Sequence, residues 1–133
     1  IWNTFLGFDE EAPLAPVSET LYQKLFSEGV GAAVAEYRRL KEVVKARNLP
    51  GESAINSAAF YYLESHRIEE AITICQFNLV LYPNSANAYA RLGEAYTKLG
   101  DKQNAIESYE KALAIDPKMS AATRALNKLV NEN

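Results

Sequence analysis

Apolar positions recur at three- and four-residue spacing through most of the chain, as in helices that each bury one face. The most regular stretch runs from Ala86 to Met119. Tyr89, Leu92, Gly93 and Tyr96 share one stripe, Gly100 and Asp101 interrupt it, Ala105, Tyr109 and Ala112 resume it, and Pro117 ends it. Two helices joined by a tight turn are predicted. Counting back 34 residues places Ile55, Ala58, Ala59, Tyr62, Ala71, Cys75 and Asn78 on the same positions, with Pro83 matching Pro117. Tyrosine, alanine and proline return in register, so 52–85 and 86–119 read as two copies of one unit.

The flanks are less regular. A further step of 34 loses the register, since Lys24 falls on an apolar position and Tyr37 on a small one; sliding by three residues sets Val34 beside Tyr37 more sensibly. Residues 18–50 are therefore expected to form a divergent helix pair. Its first helix is capped by Ser18 and carries Leu21 and Leu25, with Tyr22 and Phe26 beside them. Gly29 with Gly31 supplies the break. Its second helix, 32–47, carries Val34, Tyr37, Leu40 and Val44 on one side and Arg38, Arg39, Lys41, Lys45 and Arg47 on the other, a solvated face. Helices over 52–65 and 68–81 follow the breakers Asn48 to Gly51. A capping helix over 120–131 points Ala122, Leu126, Leu129 and Val130 inward and keeps Thr123, Arg124, Asn127, Lys128 and Asn131 outside.

Residues 1–17 are expected to be an arm or linker, because Pro13 and Pro16 oppose a regular helix across them. Its aromatic residues Trp2 and Phe5 either lie on the first helices or mark a face toward a neighbouring domain. The chain begins without methionine and without the basic start of a signal peptide, which suggests a piece of something longer.

Composition narrows the partners more than the fold. Fourteen Lys and Arg against 17 Asp and Glu leave a net charge of −3, too mild to point to nucleic acid or an anionic membrane. No stretch approaches the roughly 18 apolar residues of a membrane span. One cysteine and one histidine leave no multi-cysteine metal motif. His66 sits in a turn, and Cys75 falls on a buried position without a basic partner. Ser108 and Lys111 match S-x-x-K by letters alone, without its companion motifs. No catalytic residue, cofactor or metal is expected. Compartment is not legible.

The marker spacing of 86–119 resembles the tetratricopeptide repeat, with tyrosines in place of its tryptophan and phenylalanine. The resemblance implies an all-α fold of about seven helices, stacked as antiparallel pairs in a short right-handed superhelix. It assigns Ala59, Tyr62, Ala71, Pro83, Tyr89, Leu92, Gly93, Tyr96, Ala105, Tyr109, Ala112 and Pro117 to structure. It also implies that the first helix of each pair lines a concave groove, here Ser53, Asn56, Phe60, Leu63 and Glu64, then Asn87, Ala90, Glu94, Thr97 and Lys98. Phe60 and Leu63 are apolar where a solvated groove prefers polar side chains. Either they are covered and belong to the core, in which case Phe60 is almost unexposed, or they form the floor of an interaction groove.

Some such domains clamp carboxylate-ended chaperone peptides with lysine, asparagine and arginine. That pattern is not met, since Asn56, Ala90, Ala121 and Ala125 occupy its places. A narrower resemblance, strongest over NLVLYPNSANAYARLGEAY, is to the tail that follows a serine-hydrolase domain of the beta-lactamase, penicillin-binding or esterase type in some bacterial proteins. The implied function is a non-catalytic scaffold that binds a protein, a peptide or an adjacent domain of its own chain. The alternative is a spacer or homodimerisation unit.

Overall fold

A computed structural model describes residues 14–44 and 49–132. Among these there are seven helices and no strand. The arm residues Trp2 and Phe5 lie outside the described range, as do Lys45 and Arg47. The chain divides into two compact units, residues 1–51 and 52–133.

The first unit holds α1 (Leu14–Glu28) and α2 (Val30–Val44), packed on each other. Its buried side chains are Leu21 and Leu25 on α1 and Ala33, Val34 and Tyr37 on α2. The Tyr37 hydroxyl donates to the Pro50 carbonyl at 2.8 Å, so the phenol is buried with its polar end satisfied. Two expectations are corrected here. α1 starts at Leu14, with Pro16 inside its first turn, where a proline removes no helical hydrogen bond because those N–H groups have no acceptor within the helix. Gly31 is the second residue of α2; Gly29 alone makes the turn, at φ 99°.

The second unit holds α3 (Glu52–Glu64), α4 (Ile68–Leu81), α5 (Ala86–Leu99), α6 (Lys102–Ile115) and α7 (Ser120–Asn131). Consecutive helices pack in turn, and α3 also touches α5. The period of 34 holds at the level of single hydrogen bonds. The Arg67 amide donates to the Tyr62 carbonyl as the Asp101 amide does to that of Tyr96, both at 2.9 Å. The Ser85 amide donates to the Tyr82 carbonyl as that of Met119 does to Asp116, at 3.1 and 3.2 Å. The same backbone path is thus drawn twice with different side chains.

Helix ends explain the path. Ser85 caps α5 by accepting from the Ala88 amide at 3.1 Å, and Asp101 caps α6 by accepting from that of Asn104 at 3.2 Å. The Ser85 hydroxyl in turn donates to Glu52 Oε2, while buried Asn78 donates through Nδ2 to the Glu52 carbonyl at 3.4 Å. The start of α3 is thereby tied to α4 and to the start of α5.

Between α5 and α6, Gly100 adopts φ 87°; one period earlier the same place is taken by His66 at φ 64°. A left-handed conformation costs a side-chain-bearing residue roughly 1–2 kcal/mol, against roughly 0.5–1 kcal/mol for the extra freedom a glycine loses on folding. His66 is exposed, so its imidazole is not part of the packed core. His66→Gly is therefore expected to stabilise the second unit by about 0.5–1 kcal/mol in urea unfolding; a loss of stability would mean that the imidazole itself holds the turn.

On α7, Ala122 and Leu129 are buried and pack with Ala105 and Tyr109, with Leu126 partly covered beside them. Val130, expected inward, is 57% exposed. It follows Leu129 by one residue, and about 100° of helical rotation carries it off the packed stripe.

Candidate functional site

Asn87, Ala90, Arg91 and Glu94 fall on one stripe of α5, each a helical turn or less from the next. They line one wall of an open cleft of about 390 Å³. Ala121, Ala122 and Ala125, on the first turns of α7, form the facing wall, while Tyr109 of α6 and Met119 complete it. The alanines leave room at the cleft because none reaches across it. Apart from Tyr109 and Met119, the apolar surface here is alanine methyl.

The charged content of the cleft is one pair. Arg91 Nη1 donates to Glu94 Oε1 at 2.6 Å, and its guanidinium lies over the Phe60 ring, 4.9 Å from the centroid. Arg91 is held by a charge-assisted bond on one side and an aromatic face on the other. Arg91 Nε and Asn56 Oδ1 are buried without a hydrogen-bond partner among the described residues. Burial pushes the Tyr109 phenol above its ordinary pKa, the Glu94 carboxylate adds to that, and Thr97 opposes it. The phenol therefore stays a neutral hydrogen-bonding group at physiological pH.

The residues singled out from the sequence separate into three sets. Asn87, Ala90 and Glu94 line the cleft. Ser53, Glu64, Thr97 and Lys98 are exposed along α3 and α5 but do not line it, and Asn56 is partly buried on α3. Phe60 and Leu63, treated together from the sequence, part company. Phe60 is 44% exposed beneath Arg91, so it is not the covered residue that the core alternative required. Leu63 is 1% exposed and packs with Ala71 and Ala95, so it belongs to the core and not to a groove. Arg91 was missed. It sits three residues before Glu94 and four after Asn87, a spacing from which its place on this stripe could have been read.

Burial pushes the Cys75 thiol up to about 12, which keeps it protonated and a poor nucleophile. His66 is exposed in its turn. Among the described residues no group of three His, Cys, Asp or Glu is placed to hold a metal, and no helix is long and apolar enough to cross a membrane.

The helix pairs and their period define a class: helical-repeat domains. Within that class, residues 86–119 match the family model for the tetratricopeptide repeat. The fold is similar to the second such domain of human RPAP3, solved in complex with the HSP70 peptide SGPTIEEVD, at 25% identity and a TM-score of 0.59 over 86% of this chain and 92% of that one. It is also similar to the Arabidopsis OM64 domain, at 19% identity and a TM-score of 0.61 over 92% and 98%. Among curated proteins, the chain is 42% identical over 52 residues to the Hsp70-Hsp90 organizing protein of Triticum aestivum, covering 39% of this chain and 9% of that protein. It is 33% identical over 99 residues to cellulose synthase operon protein C of Escherichia coli, covering 74% and 8%. The chain thus spans less than a tenth of the length of these two relatives. Residues 86–119 thus match one tetratricopeptide repeat, and the chain has the fold of tetratricopeptide-repeat domains.

Proposed function

We propose that this chain binds an extended segment of another protein, or of an adjacent domain of its own parent, along the cleft between α5 and α7. The observation that carries the reading is the cleft itself, which is open, walled by alanines on the α7 side and by the stripe from Asn87 to Glu94 on the α5 side. An extended peptide needs such a wall for its side chains and such a stripe for its main chain. The likeness to a domain that holds a peptide supports the same reading. The mild net charge argues against nucleic acid as the partner.

Selection of displayed peptides on the immobilised chain, followed by amide-shift mapping of the best binder, is expected to move Asn87, Ala90, Ala121 and Ala125 and to leave α1 unmoved. Shifts confined to α1 and α2 would sink the placement.

The alternative is a spacer or homodimerisation unit, and exposed Val130 at the end of α7 favours keeping it in view. Light scattering decides between them, because a dimer that persists on dilution would support self-association. The narrower likeness to a tail after a serine-hydrolase domain rests on NLVLYPNSANAYARLGEAY. On that reading the chain supports the catalytic domain or recruits a partner for it, and the catalytic residues belong to the parent alone.

A further inference from the structure

We infer, on the basis of the peptide reading above, that the cleft between α5 and α7 selects an uncharged segment bearing an aliphatic side chain and disfavours acidic chain ends. Arg91 is the cation among the described lining residues; its Nη1 is committed to Glu94 at 2.6 Å, its guanidinium lies over the Phe60 ring, and the Nε that lacks a partner is buried out of a ligand's reach. A ligand carboxylate entering the cleft would give up its water without meeting a free positive charge, and would approach the Glu94 carboxylate as a like charge. A ligand ammonium would meet Arg91 in the same way. A neutral segment suffers neither cost.

The remaining surface favours the aliphatic choice. Ala90, Ala121 and Ala125 present methyl groups with no donor or acceptor, so a leucine-sized side chain exchanges water for apolar contact. At about 390 Å³ the cleft lies toward the small end of the roughly 300–1,000 Å³ range of ligand sites, which suits a side chain and not a helix. The Asn87 amide, exposed at the mouth, offers a donor and an acceptor to the ligand's main chain. The peptide held by the human neighbour ends in Glu-Glu-Val-Asp, the acidic type that this cleft is built to refuse.

The test uses nonapeptide pools with degenerate uncharged flanks and a fixed central Leu, Ile, Met, Lys, Glu or Gly, together with a Glu-centred pool left with a free carboxy terminus. Binding to the full chain is read by fluorescence anisotropy. Leu, Ile or Met pools should bind about tenfold or more tighter than either Glu pool. Ala121→Trp, at an exposed position that leaves the core untouched, should abolish that binding, and Ala121→Lys should narrow the gap by supplying an uncompensated cation at the rim. If a Glu pool binds as tightly as the aliphatic pools and Ala121→Trp still blocks it, the selectivity is overturned and the cleft remains the site. If no pool binds, or if Ala121→Trp changes nothing, the cleft reading falls together with the inference.

Discussion

Leu63→Ala is expected to cost about 2–5 kcal/mol of unfolding free energy, whereas Phe60→Ala, three residues earlier on the same helix, should cost only about 1–2 kcal/mol. Leu63 is 1% exposed and packs with Ala71 of α4 and Ala95 of α5, so truncation leaves a hole that three helices border. Phe60 is 44% exposed and loses half-burial plus the guanidinium lying over its ring. Urea unfolding of the two variants measures the difference directly. Equal losses would show that α3 is rotated about its axis from the orientation described.

The same pair shows how far the sequence could be read. Helices α4, α5 and α6 end where Pro83, Gly100 and Pro117 dictate, because breakers act locally and need no tertiary information. The repeat register was also legible, since Ala71 and Ala105 are small for the same reason at the same place. Leu63 could not be told from Phe60 by that route. One period later their places are held by exposed Thr97 and partly buried Glu94, so the repeat offers no precedent for burying one and exposing the other. What decides it is the contact between α3 and α5, a tertiary relation absent from the pattern of a single helix. Pro16 misled for a related reason: its cost depends on whether it falls in the first turn, and the helix start lay upstream of the Ser18 cap signal. Arg91 escaped notice because its role depends on Phe60, far from it in sequence.

Gly93→Leu is expected to destabilise the second unit by about 1–3 kcal/mol or more, and the reason identifies a pair of positions that change together between the two repeats. A Cβ at Gly93 would lie 2.8 Å from three atoms of the Tyr109 ring. That ring is 6% exposed and packed with Ala105, Ala122 and Leu129, so it has little room to retreat. One period earlier the same two positions hold Ala59 and Cys75, both buried, so a larger residue on the first helix faces a smaller one on the second. The structure therefore predicts a change of sign. Gly93→Ala gains roughly 1 kcal/mol of helix propensity but meets the ring at a cost of about 1–3 kcal/mol, and should be neutral to destabilising alone. In a Tyr109→Cys background the clash is gone, and the same substitution should stabilise by about 1 kcal/mol. A double-mutant cycle in urea should thus return a coupling of about 1–3 kcal/mol. Additive effects would mean that the Tyr109 ring moves aside freely, and with it the back of the cleft that it lines.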